Sequence, residues 1–138
     1  MGGKKPRRKI LVVDDEKETR DSLGRILERR GYEMVVAEDG EQGLIKMKEF
    51  QPEIVICDIV MPKINGLQFL ETIRNMGSQA QVIMITGQMF MSNCDDILKY
   101  NVCGYLLKPL QIDTILTHIA KAEDLIEQAS KKDHNGLK

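Results

Sequence analysis

Five short apolar runs punctuate the 138-residue chain: Ile10 to Val13, Met34 to Ala37, Ile54 to Cys57, Val82 to Ile85 and Tyr105 to Leu107. The residues that follow them could do chemistry. Asp14 and Asp15 follow the first run, Glu38 and Asp39 the second, Asp58 the third, Thr86 the fourth, and Lys108 with Pro109 the fifth. Singly each is ordinary, because an Asp after a strand usually caps a helix or shapes a turn and a Lys there usually snorkels to solvent. Gathered at one edge, the carboxylates of Asp14, Asp15 and Asp58, the Thr86 hydroxyl and the Lys108 ammonium make a divalent-cation and phosphoryl site. Crowded carboxylates repel one another and raise each other's pKa, and a hard cation relieves that repulsion. Mg2+ suits the set, since it takes oxygen ligands and keeps waters whose places phosphate oxygens can fill.

The elements that must position these groups are legible in the apolar pattern. None of the five runs alternates with polar residues, which predicts strands covered on both faces, as in a parallel sheet. The gaps read as crossover helices. Leu23, Ile26 and Leu27 place one near 17 to 30, closed by Gly31; Leu44 and Met47 place the second, ahead of Pro52; Leu67, Leu70 and Ile73 place the third, stopping near Gly77. Cys94, Ile97 and Leu98 give a weaker fourth between Met89 and Tyr100, and Ile112, Ile115, Leu116, Ile119 and Ile126 give the longest, over 111 to 129. Strand and helix alternate five times, so the expected fold class is α/β, a doubly wound (βα)5 sheet. Ligands of open α/β sheets bind beyond the carboxyl ends of the strands, where the residues above stand.

Composition bounds what the protein is. With 42% apolar and 30% charged residues and no Trp, the chain is expected to form a single domain that needs neither disulfides nor structural metal. Cys57, Cys94 and Cys103 are odd in number and lack C-x-x-C spacing, so they read as buried thiols in a reducing, cytoplasmic setting. No segment approaches the roughly 18 apolar residues of a membrane span, and no membrane association is expected. The net charge of -1 hides an asymmetry: residues 1 to 9 carry five Lys or Arg and no acid, whereas residues 10 to 129 carry 12 basic and 20 acidic side chains, a balance of -8. An acidic body lacks the clustered basic face that phosphate backbones need, so no direct nucleic-acid binding is expected. Residues 1 to 8 read as a flexible basic leader, 9 to 129 as the domain and 130 to 138 as a disordered tail. His118 is expected at the surface, with no part in phosphoryl transfer.

The order and spacing of ILVVDDE (Ile10 to Glu16), DIVMPKING (Asp58 to Gly66), MITG (Met84 to Gly87) and YLLKP (Tyr105 to Pro109) resemble the receiver domains of two-component response regulators, in the manner of single-domain chemotaxis regulators. The resemblance implies a flavodoxin-like five-stranded parallel sheet of order 2-1-3-4-5 with helices on both faces. It implies that Asp58 is the phosphoacceptor nucleophile; that Asp14, Asp15, Asp58 and the backbone carbonyl of Val60 bind Mg2+; that Lys108 pairs with the phosphoryl group; and that Thr86 and Tyr105 are the switch residues. It suggests a cis Lys108–Pro109 peptide. The implied function is a phosphorylation-controlled signalling switch rather than an enzyme acting on other substrates. A histidine kinase or histidine phosphotransfer protein would load it, and the face formed by the fourth helix, fifth strand and fifth helix would control a downstream protein effector in trans. Such a protein would be a monomer or a phosphorylation-dependent dimer. Val60 and Gln88 stand where the family tunes the attack of water on the acyl phosphate, and Met89 to Met91 offer either a docking surface or core packing. Two other classes fit less well. A small-molecule phosphohydrolase would want a D-x-D motif after the first strand, and a nucleotide binder would want G-x-G-x-x-G or a phosphate-binding loop there, where acidic Asp14 and Asp15 would repel a pyrophosphate.

Overall fold

The computed structural model describes residues 8–87 and 102–136. The described elements run β1 (Lys9–Val13), α1 (Lys17–Arg29), β2 (Glu33–Ala37), α2 (Gly40–Phe50), β3 (Ile54–Asp58), α3 (Gly66–Asn75), β4 (Gln81–Thr86), β5 (Gly104–Leu107) and α4 (Ile112–Gly136). The helix expected between Met89 and Tyr100 lies outside the described residues, as do Gln88, Met89 to Met91 and Cys94.

The strands form one parallel sheet in the order β2-β1-β3-β4-β5, the flavodoxin-like order. Successive side chains on a strand point to opposite faces, and this divides the core in two. Ile10, Val12, Ile54, Ile56, Ile83 and Ile85 pack under Leu23 and Leu27 of α1 and Ile115, Ile119 and Ala122 of α4. Leu11, Val13, Val55, Cys57, Val82 and Met84 pack under Met47 of α2 and Phe69, Leu70 and Ile73 of α3. Unbroken apolar runs are what a doubly covered sheet requires. Edge strand β2 departs from this expectation, with Glu33 and Val36 exposed, because only β1 flanks it. Cys57 and Cys103 are buried free thiols.

Helix ends follow local chemistry. Gly31 and Gly77, both at φ 89°, end α1 and α3 where left-handed backbone favours glycine. Asp39 caps α2 by accepting from the Gln42 N–H at 2.8 Å, and Asn65 and Gln68 form a reciprocal capping box on α3.

The structure departs from the sequence reading at both ends of the domain and at one histidine. Asp58 and Thr86, by contrast, end β3 and β4 as the sequence reading has it, with ladder pairing continuing through Asp58 with Ile85 and Thr86 with Leu107. Arg8 belongs to the domain and not to a leader: its guanidinium bonds Glu53 at 2.8 Å and its carbonyl accepts from the Glu33 N–H. The last helix continues to Gly136, well into the segment read as a disordered tail, because no Gly or Pro interrupts residues 130 to 135. His118 is half-buried rather than on the surface. Its ring lies so close over Gly104 that a β-carbon there would stand 2.1 Å from its Cδ2.

The cap on α2 gives a pH-dependent expectation. The Gln42 N–H holds the Asp39 carboxyl below its ordinary value of 3.8, helped by Lys63. A carboxylate whose folded pKa is depressed stabilises the fold above the ordinary value and loses that effect as pH falls through the folded value. Asp39→Ala should therefore lower stability by about 1 kcal/mol at pH 7. In urea unfolding, the gap to wild type should narrow as the pH is lowered below about 4.

Candidate functional site

Parallel strands end together, and the carboxyl edge of this sheet collects the residues singled out above. β1 and β3 are neighbours, with Val13 beside Cys57, so Asp14 and Asp58, one residue further along each strand, meet. Asp14 is fully buried and Asp58 nearly so. The Asp14 N–H bonds the Ala37 carbonyl at 3.1 Å, and Asp14 Oδ1 accepts from the Glu16 N–H at 2.8 Å. Asp58 Oδ1 accepts from the Val60 N–H at 3.0 Å.

Lys108 comes from the other side. Its own N–H bonds the Thr86 carbonyl at 2.8 Å, and the Lys108–Pro109 peptide is cis. Its ammonium lies 2.9 Å from Asp14 Oδ2 and 3.0 Å from Asp58 Oδ2, and it also bonds the Glu16 carboxylate. Burial pushes the Asp14 carboxyl up, an effect that the Glu16 N–H and the ammonium oppose. Burial works against the Lys108 charge too, yet its bonds to Glu16, Asp14 and Asp58 outweigh that and raise its pKa. Lys108 in turn holds the Glu16 carboxyl below its usual range. Burial, with Asp58 and Asp14 nearby, drives the Cys57 thiol well up, which disfavours its thiolate.

Of the predicted residues, Asp14, Asp58 and Lys108 meet, Asp15 and Val60 line the adjoining cleft, and one residue is added. Asp15 is exposed and, with Glu16, Asp58, Val60, Gly87 and Lys108, lines an open cleft of about 680 Å³. Val60 is 42% exposed at its mouth. Thr86 is fully buried at the end of β4, and Tyr105, half-buried on β5 beside Met84, packs against the core on the α2 and α3 side. The addition is Glu16. Its carboxylate, with those of Asp14 and Asp58, offers oxygens within 4.8 Å of one another. Its place as a third consecutive acid after β1 was the available clue. Arg20, one helical turn on, donates to the Asp14 carbonyl at 2.7 Å and so braces the same turn. An all-oxygen, strongly acidic donor set fits a hard divalent cation and not a soft one.

The sequence model described as "Response regulator receiver domain" matches residues 10–120. The chain belongs to the response regulator receiver domain family. The chemotaxis protein CheY of Bacillus subtilis (strain 168) is 35% identical over 114 residues, covering 82% of this chain and 95% of that protein. The Regulator of RpoS of Escherichia coli (strain K12) is 38% identical over 104 residues, 75% of this chain, and the chain spans 31% of that relative's length. The crystal structure of a CheY-like receiver domain protein from Methanospirillum hungatei JF-1 superposes with a TM-score of 0.82 at 30% identity, covering 91% of this chain and 99% of that one. Receiver domains are signalling switches of two-component systems rather than classical enzymes. Among the described residues of this receiver domain, no helix is long and apolar enough to cross a membrane.

One backbone contact sets how closely the loop after β3 can fold back on the site. A β-carbon on Gly66 would stand 2.4 Å from the Asp58 carbonyl oxygen and 2.7 Å from Ile59 Cα, while the Gly66 N–H bonds the Ile59 carbonyl at 2.7 Å. Gly66→Ala must move backbone, so it should cost roughly 1–3 kcal/mol in urea unfolding. An unchanged unfolding midpoint would show that this approach is not a constraint.

Proposed function

We propose that this receiver domain accepts a phosphoryl group on Asp58 in a Mg2+-dependent reaction, from a phosphohistidine of a histidine kinase or histidine phosphotransfer protein. The observation that supports it best is the nearly buried Asp58 carboxylate, with Oδ1 fixed by a backbone N–H and Oδ2 by the Lys108 ammonium at 3.0 Å. A nucleophile oriented from both oxygens loses little freedom on reacting. Asp14, Asp15, Asp58 and the Val60 carbonyl would hold the metal ion. When bound, Mg2+ would neutralise charge on the phosphoryl oxygens and among the carboxylates. An Asp58 oxygen attacks phosphorus in line, the P–N bond to the donor imidazole breaks, and the imidazole nitrogen leaves with the electron pair. Lys108 exchanges carboxylate partners for a phosphoryl oxygen. The acyl phosphate later loses its phosphoryl group to water, which resets the switch.

The signal leaves along β4 and β5. Phosphorylation adds nearly two negative charges and strong acceptors, which draw in the Thr86 hydroxyl at the end of β4. Tyr105 sits beside Met84, two residues back on β4, so a shift of Thr86 opens space for its ring to turn inward. The face carrying β5 and α4 then has two states, and a partner protein that binds one better reads the signal.

Intact mass tests the chemistry. Incubation with Mg2+ and a small acyl phosphate donor should add one phosphoryl group to wild type and none to Asp58→Asn. Chelating the Mg2+ should lower the loaded fraction by roughly tenfold or more, as a cation stabilises this charge by several kcal/mol. Equal loading of Asp58→Asn, or loading indifferent to chelation, would refute the assignment.

A further inference from the structure

The residue at the start of α1 behaves unlike its counterparts in α2 and α3. Asp39 and Asn65, at the N-caps of α2 and α3, turn their side chains back onto their own helices, accepting from the Gln42 and Gln68 N–H groups at 2.8 Å. Glu16, at the N-cap of α1, makes no side-chain cap bond. Its carboxylate bonds the Thr19 side chain of its own helix and crosses to Lys108, 92 residues away in sequence.

The ammonium there has three carboxylate partners of very different accessibility. Asp14 and Asp58 are buried, the Lys108 side chain is 14% exposed, and the Glu16 side chain is 59% exposed. A divalent cation held by Asp14 and Asp58 must compete with Lys108 for their oxygens. An ammonium stripped of both partners in so enclosed a place would be a poorly compensated charge, which is costly. Glu16 is the partner that the cation need not take, and its solvent-side position lets it follow the ammonium.

We propose that Glu16 is a positioning residue that takes over Lys108 when a divalent cation occupies Asp14 and Asp58, easing cation binding and keeping the ammonium at the cleft for the incoming phosphoryl group. The inference rests on the reading that Asp14 and Asp58 hold a divalent cation. Its rival is that Glu16 acts on the cation itself, as a ligand or as a bare negative charge. The two differ in whether the effect passes through Lys108.

Isothermal titration of Mg2+ into wild type, Glu16→Gln, Lys108→Met and the double variant separates them, because it reads binding and not phosphorylation. Glu16→Gln should weaken Mg2+ about fivefold, the upper range for an exposed ion pair, and should have no effect once Lys108 is Met. In a nitrogen-detected spectrum, the Lys108 ammonium signal should persist in Mg2+-loaded wild type and be lost in loaded Glu16→Gln. This second readout needs no Lys108 variant, should that variant fail to fold. Unchanged affinity in Glu16→Gln, or an equal loss with and without Lys108, overturns the handover while leaving the metal site standing. Wild type that binds no Mg2+ overturns both.

Discussion

One ammonium shared among three carboxylates is the interaction on which this site depends. Asp14 has no access to water, and a buried carboxylate is tolerable only with a partner of opposite charge. That partner comes from β5, two strands away from β3 in the sheet order. The β5 backbone is pinned beside the end of β4 by the Lys108 N–H to Thr86 carbonyl bond, and the lysine stem runs past Gly87 to reach the acids. A long, unbranched side chain spans this gap, whereas the branched or short residues favoured inside strands could not. The charge pair therefore ties the last strand to the first and third across the mouth of the cleft.

The sheet makes such a meeting possible because it is stiff and covered. Alternate residues of β1, β3 and β4 feed two separate apolar layers, so a strand cannot slip by one residue without turning one layer inside out. Register fixed in this way fixes which residues emerge at the carboxyl edge. Groups carried on strand ends are held more closely than groups on free loops, and this favours a site whose chemistry needs charges aligned before the substrate arrives.

Much of this was legible in the residues alone, and the departures have physical reasons. Parallel strands show as unbroken apolar runs, and helix ends show as Gly31, Gly77 and Asp39, because those signals are local. Asp14, Asp58, Thr86 and Lys108 were legible because strand ends converge in any doubly wound sheet. Glu16 was legible only as a third acid after β1, since which partner its carboxylate takes is decided by a residue 92 positions away. Adjacent Asp14 and Asp15 look alike in sequence, but one is buried and the other is exposed at the cleft. His118 escaped because helical periodicity marks apolar positions, and the room for its ring is made by a glycine on another element. The extension of α4 to Gly136 escaped because polar composition was read as disorder, although nothing in residues 130 to 135 breaks a helix.

The gradient of solvation across the charge cluster has its own consequence. Asp14 and Asp58 lie deepest, Lys108 is partly covered, and Glu16 stands in solvent. Deep charges interact strongly and cannot rearrange cheaply, while surface charges interact weakly and move freely. Any newcomer, whether cation or phosphoryl group, changes the inner charges by whole units, and a rigid cluster would have to absorb that change as unpaired charge. Here the ammonium sits at the boundary, bonded inward to buried acids and outward to an exposed one. Charge added at Asp58 can thus be met by a short shift of Lys108 between partners rather than by disruption of the strands that carry them. The strands that carry the acids can then keep their register while the charges around Asp58 rearrange.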